Sequence, residues 1–317
     1  MFTRFSIPTP FQIGPVNAYY SEGTLVDPGP DTENAWDELK DNLQNEGATV
    51  KDVERVLITH PHPDHFGLAS RLQQEGAIVG ASHGTSGIVR DFVGRHKEEK
   101  DYFVDFFVLN GMEKDMAETV VELPELFLNV APSVDVDREL DYGDVVDVDG
   151  TEVKAEEVRG HAVGETIFTY EDDGQNHAIV GDHVLHKITP NPLLQPPEEE
   201  GGRRPRVLPQ YNRSLKKLSE RDFDLFLPGH RDLIHRPIKR IGEMMDSHNR
   251  RTAEVREILE HKSPITAYEM MDEMFGDLPV TEYFPGMSES VGHLDVLEER
   301  GKADHYEERG IRLYEPK

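Results

Sequence analysis

Apolar residues recur along this chain in two rhythms. Short β-branched or aromatic runs at 16–20, 24–26 and 53–59 (VERVLIT) end in Gly, Pro, Asp or His, and such runs read as strands. Longer amphipathic stretches lie between them. Asp31 is placed to cap a helix that runs through Glu46 and stops at Gly47; a second runs to Glu75 and stops at Gly76, ahead of a strand at 77–81. Strand, helix, strand is the rhythm of a layered α/β fold. Residues 84–130 read as mainly helical, with Tyr102, Phe103, Phe106 and Phe107 expected to pack a small core of their own and, in addition, to cover a substrate pocket. Strands return at 145–148, 153–158, 166–170 and 177–180, then a Pro-rich loop at 190–209, a helix at 211–220 and a strand at 225–227.

The pattern changes after Pro237. Ile238, Ile241, Met245, His248, Val255 and Leu259 fall on one helical stripe that has to be buried. Ser263-Pro264 is expected to open a second helix, by cap and first-turn logic. A third is expected at 288–300, followed by a hairpin at 303–306 and 311–314. Helix, helix, helix, hairpin is the outline of a winged helix. Two domains follow, 1–236 with a helical insertion at about 84–130, and a winged-helix-like 237–317.

Charge changes the picture of partners. Asp and Glu number 62 against 34 Lys and Arg, a net of −28, and Arg is favoured over Lys. A dispersed acidic surface repels nucleic acid at low salt and resembles proteins adapted to high salt, so the chain is read as halophilic. The tail from Arg240 to Lys317 carries 10 basic and 18 acidic residues, a net of −8, so no basic footprint marks it as a DNA reader. Arg203, Arg204, Arg206, Arg213, Lys216 and Lys217 are the densest basic cluster, either a solvated face or an anion contact. No apolar run approaches the roughly 20 residues of a membrane span, and the N-terminus lacks a signal-peptide core. With no Cys, thiolate ligands and cysteine nucleophiles are excluded. The expected location is cytoplasmic, with no membrane partner.

The chemistry concentrates at strand ends. His60, His62, Asp64 and His65 stand within six residues directly after the 53–59 strand. His161 follows Gly160, Asp182 follows Gly181 and His230 follows Gly229, each in a strand-terminal turn. Imidazoles and carboxylates converging on one point suit a divalent metal. His183 has the default of a residue behind the ligands, with a chance of touching substrate. His248, on the apolar stripe, is expected to be buried with a partner.

This set resembles the metallo-β-lactamase superfamily. The resemblance rests on His60-Pro61-His62-Pro63-Asp64-His65, then His161, Asp182 and His230, with Asp27 ahead, and covers residues 5–236. It implies a four-layer αβ/βα sandwich. It implies that His60, His62 and His161 hold one metal and Asp64, His65 and His230 a second, with Asp182 bridging and Asp27 orienting a ligand from behind. Two divalent ions follow, zinc foremost with iron or manganese as alternatives, and with them a metal-activated hydroxide whose proton Asp64 holds. β-Lactamase activity itself is disfavoured: one class of that enzyme uses a Cys ligand, and the others lack the bridging carboxylate.

Asp182 is similar to the branch of glyoxalase II-like thioesterases, lactonases and nucleases. A hydrolase of a small ester or thioester is the leading expectation, and a single-strand endoribonuclease the alternative. A non-enzymatic nucleic-acid-binding regulator ranks third. A small-molecule substrate is the expected partner, with RNA as the alternative and a homodimer through the C-terminal domain as a further expectation. The glyoxalase family binds its thiol carrier with a different C-terminal domain, so the substrate stays open.

Overall fold

A computed structural model describes residues 1–199 and 201–317, with the backbone alone of residues 124–127. The chain forms two compact units. The first joins Met1–Arg95, Phe127–Pro190 and Leu218–Ile241; the second joins His96–Leu126, Asn191–Lys217 and Gly242–Lys317.

The first unit holds a six-stranded sheet in chain order: β1 (Thr3–Ile7), β2 (Val16–Ser21), β3 (Thr24–Val26), β4 (Arg55–Leu57), β5 (Ile78–Ser82) and β6 (Arg138–Leu140). The β2–β3 turn uses Glu22 and Gly23, both at positive φ, the two-residue geometry that matches strand twist. From β3 to β6 the pairing is parallel, so crossovers are needed. They are α1 (Glu33–Asn45), then α2 (Pro63–Phe66) with α3 (Ala69–Gln74), and a longer connection that starts with α4 (His83–Val89). Thr32, not the expected Asp31, caps α1: its hydroxyl accepts from Ala35 N at 3.1 Å, while Asp31 pairs with Arg71 Nε at 2.6 Å.

The second sheet runs β11 (Leu225–Pro228), β10 (Gln175–Gly181), β9 (Thr166–Asp172), β8 (Thr151–Glu157), β7 (Val145–Val148). Tyr19, Val26, Leu57 and Leu140 from the first sheet meet Val146, Val153, Phe168 and Ile179 from the second in one buried cluster. Leu39, Leu43 and Leu72 of the helices cover the outer face of the first sheet against Phe5, Val56 and Val79. Because β8, β10 and β11 run the same way, their C-terminal ends lie at one edge. Main-chain hydrogen bonds stitch this edge: Thr166 N to Thr59 O at 2.8 Å, Gly229 N to Gly181 O at 2.7 Å, and Asn17 N to Gly229 O at 2.6 Å.

The second unit contains most of α5 (Phe92–Leu109), α6 (Lys114–Glu122), most of α7 (Val207–Ser219), most of α8 (Pro237–Lys262), α9 (Ala267–Phe275), α10 (Tyr283–Glu299) and the hairpin β12 (Ala303–Glu308) with β13 (Ile311–Pro316). The inserted helices do not make a core of their own. Phe103, Phe107 and Val120 share one with Val255, Leu259, Met270 and Leu294.

The buried stripe of α8 is Ile241, Met244, His248, Thr252, Val255 and Leu259, with Ile238 38% exposed and Met245 only half-buried. Ile238 and Met245 stand three and four positions from Ile241, so helical spacing alone does not separate them from the buried Met244. Ser263-Pro264 is a cis peptide ahead of α9 and does not start it. Thr266 does: its hydroxyl accepts from Glu269 N at 3.1 Å while the Glu269 carboxylate accepts from Thr266 N at 2.8 Å, a reciprocal cap. α10 starts at Tyr283, five residues before the expected 288, because Pro285 in a first turn removes no helical hydrogen bond.

Three members of the basic cluster are paired. Arg204 binds Asp295 through two hydrogen bonds of 2.8 and 2.7 Å, Arg206 donates to Glu298 at 2.7 Å and Arg213 to Glu299 at 2.8 Å.

Phe107 is fully buried in the shared core. Phe107→Ala is expected to destabilise the second unit by about 3–5 kcal/mol, measured as a lower urea midpoint. An unchanged midpoint would contradict the shared core.

Candidate metal centre

The stitched edge of the first unit is where the sequence ends five strands on ionisable residues. Asp27 follows β3 at φ 52°, a left-handed turn that Asp tolerates better than most residues. Its buried carboxylate accepts from Thr59 N at 2.8 Å, from the Thr59 hydroxyl at 2.6 Å and from His65 Nδ1 at 2.9 Å. The Thr59 hydroxyl gives its proton to Asp27, so it accepts from His60 Nδ1 at 2.9 Å. His230 Nδ1 donates to Pro15 O at 2.8 Å. In all three imidazoles Nδ1 is spoken for, and Nε2 is the nitrogen left for the site. Pro63 opens α2 at its first position, and the turn presents Asp64 and His65 behind His62.

Two ligand groups result. His60, His62 and His161 have ligand atoms within 4.8 Å of one another, and so do Asp64, His65 and His230. His60 Nε2 lies 3.0 Å from His62 Nδ1, which lies 3.2 Å from His161 Nε2. Those spacings approach the edge of about 3.3 Å expected for a tetrahedron with metal–nitrogen bonds of about 2.0–2.1 Å. Asp182 belongs to both neighbourhoods: its oxygens lie 3.5 Å from His65 Nε2, 3.6 Å from His230 Nε2 and 3.8 Å from His161 Nε2. His230 Nε2 is also 3.2 Å from Asp64 Oδ2.

The donor set fits divalent metal on two counts. His65 Nε2, His230 Nε2 and Asp182 Oδ1 are buried, and no hydrogen bond satisfies them among the described residues. Left so, each would be costly. A side chain on Gly229 would also fall 2.3 Å from Asp182 Oδ1 and 2.6 Å from His65 Cε1, so only glycine lets the chain pass this close.

The charges divide the same way. Burial and neighbouring imidazoles push His60 well below the ordinary histidine value and His62 down to about 3, which makes them neutral donors. Burial presses on His65 too, but the carboxylates of Asp182, Asp27 and Asp64 outweigh it and hold it well above the ordinary value. His230 is likewise lifted against burial by Asp182 and Asp64. Asp182 and Asp64 stay ionised, since His230 and His65 overcome the penalty of burying them. One half of the site offers neutral nitrogen, and the other a negative field that calls for a cation.

All seven sequence-predicted ligands are brought together, with Asp27 behind them. His183 is buried, with Nδ1 3.0 Å from Glu165 Oε2. His248 is buried with Nδ1 2.7 Å from Asn212 Oδ1. Sequence reasoning placed Gly229 beside His230 but missed Thr59 and Glu165. Glu165 had a signal: a carboxylate entering the apolar run 166–170 three residues after Ala162.

The description "Metallo-beta-lactamase superfamily" matches residues 13–230. A curated relative, "Probable metallo-hydrolase YqjP" of Bacillus subtilis (strain 168), is 31% identical over 302 residues, covering 92% of this chain and 90% of that one. A metallo-β-lactamase family protein of Thermus thermophilus superposes with a TM-score of 0.82 at 25% identity, over 100% of this chain and 98% of that one. A β-lactamase domain protein of Burkholderia ambifaria gives 0.77 at 24% identity, over 100% and 92%. A shared fold, a shared sequence and a His/Asp cluster able to bind divalent metal place this chain in the metallo-β-lactamase superfamily, as a metallo-hydrolase. Among the described residues no helix is long and apolar enough to cross a membrane.

Addition of a divalent cation is expected to raise the melting temperature, since a ligand at 100 times its Kd stabilises by about 2.7 kcal/mol. Gly229→Ala should remain folded and lose most of that increment in calorimetry. An increment equal to wild type would show that Gly229 does not shape the site.

Proposed function

We propose that this chain hydrolyses a small ester or thioester with two divalent ions, zinc foremost, held by His60, His62 and His161 and by Asp64, His65 and His230. The observation that carries the reading is Asp182, whose carboxylate stands within 3.5–3.8 Å of imidazoles from both ligand groups. Such ions lower the pKa of water toward neutrality and polarise the substrate's carbonyl oxygen. Asp182 spaces the two ligand groups and supplies negative charge to both. Asp64, 8% exposed and ionised, carries a carboxylate that can accept the proton of an attacking water. Asp27 keeps His65 in the right tautomer and, through Thr59, does the same for His60.

The ribonuclease alternative draws less support. In a winged helix the third helix enters the groove of nucleic acid. Here that helix, α10, is buried from Gly286 to Leu297 except for Glu289, and Arg204, Arg206 and Arg213 are paired with its carboxylates. A polyanion needs unpaired positive surface. A compact, uncharged acyl substrate does not. The net charge of −28 supports a cytoplasm of high salt as the working environment.

Elemental analysis of the zinc-loaded protein should give two metals per chain. In a panel of thioesters, lactones, phosphodiesters and RNA, turnover is expected on the acyl substrates. Asp182→Ala should reduce it by more than the about 10–100-fold typical of a residue behind the ligands, with the fold kept. Near-wild-type turnover in that variant, or cleavage of RNA alone, would refute the reading. A separate measurement bears on environment: the melting temperature should climb as KCl rises from about 0.1 to 1 M, where the screening length shrinks from about 10 to 3 Å.

A further inference from the structure

The two ligand groups adjoin where His161 Nε2 stands 3.8 Å from Asp182 Oδ2. These residues come from different segments outside the strands, one between β8 and β9 and one that begins directly after β10. Something has to hold their separation to a few tenths of an ångström.

Glu165 reaches both. Its side chain is 1% exposed. A single oxygen, Oε2, accepts from the backbone N–H of His161 at 3.3 Å and from His183 Nδ1 at 3.0 Å, and His183 is the residue directly after Asp182. The other oxygen, Oε1, is buried and has no hydrogen-bond partner among the described residues. A buried carboxylate with one idle oxygen is expensive for a fold that needs only two hydrogen bonds accepted.

The base of the loop is fixed independently. Gly164 O accepts from the hydroxyls of Ser82 at 2.5 Å, Thr85 at 3.0 Å and Thr166 at 3.2 Å. Gly164 has φ +67°, and a side chain there would fall 2.3 Å from Thr85 N. So Glu165 projects from an anchored point. What it adds is not the position of its own loop's base but the link from His161 to the Asp182 loop.

We propose that Glu165, with His183, is a positioning pair that sets the distance between His161 and the bridging Asp182, and so couples occupancy of the two metal sites. The inference rests on the dinuclear reading above. Through these hydrogen bonds Glu165 acts on His161 by way of the main chain and on Asp182 by way of its neighbour.

The test reads metal binding rather than turnover. Zinc affinity of the full chain is measured by competition with a chromophoric chelator, and coordination by the visible absorption of the cobalt(II)-loaded protein. Glu165→Leu, similar in size with no acceptor, should weaken binding of at least one ion by about 10–100-fold and change the cobalt bands. Glu165→Gln keeps one carbonyl oxygen for both donors and should restore affinity to within about threefold of wild type, with wild-type bands. His183→Phe removes only the second hydrogen bond, and it carries the test if the Leu variant does not fold; a loss of about tenfold is expected. Wild-type affinity and bands in a folded Glu165→Leu or His183→Phe protein would overturn the proposal and leave the dinuclear reading standing, as would equal losses in the Gln and Leu variants. A wild-type protein that takes up fewer than two ions would instead remove the dinuclear reading itself.

Discussion

A buried carboxylate must be held by donors, and Asp27 is held by three. Its oxygens take the N–H and hydroxyl of Thr59 and the Nδ1 proton of His65. That one group pins the end of β3, the end of β4 and the first turn of α2 to each other. Because the Thr59 hydroxyl is committed to Asp27, it must accept from His60, so the same carboxylate also settles which nitrogen of His60 faces the site. The ligands in front are arranged by a residue that points the other way. Parallel β3, β4 and β5 make this convergence possible, since their ends fall on one side.

The edge that carries the candidate metal centre shows how charge is buried at tolerable cost. Three carboxylates and five imidazoles lie within a few ångströms, and they are sorted rather than mixed. His60 and His62, made neutral by burial and by neighbouring imidazoles, occupy one half. Carboxylates that keep their charge, by leaning on His65 and His230, occupy the other. Glycines at the tight points, above all Gly229 and Gly164, let main chain approach within a side chain's width. Function and close packing therefore draw on the same positions.

Much of this arrangement is legible in the amino-acid sequence. The strand-end placement of His60, His62, Asp64, His65, His161, Asp182 and His230 is local: each follows a β-branched run and a turn residue, and the chemistry travels with the turn. The α/β layering is legible for the same reason. What a linear pattern does not carry is contact between distant segments. Thr59 reads as the last residue of a strand, and its role depends on Asp27, 32 positions earlier. Glu165 reads as a strand flank, and its partner His183 is 18 positions on. Tyr102, Phe103, Phe106 and Phe107 are neighbours in sequence, which suggests inserted helices that fold on themselves. Their partners lie near the far end of the chain. The helix starts mislead for a subtler cause, since Asp31 and Ser263 are good capping residues that stand one and three positions from the residue that caps.

The second unit is assembled from three separated stretches, the last of which runs to Lys317. On a ribosome this imposes an order of events. The first unit has all its strands once residue 228 has emerged, whereas Phe103 and Phe107 then still await Leu294 and its neighbours. Until that last stretch has emerged, the apolar faces of two helices stay uncovered, exposed to solvent and to chaperones. Long-range closure of this kind is slow. The vulnerable interval in the life of this protein therefore lasts until the stretch from Gly242 onward, far from the metal centre in sequence, brings it to a close.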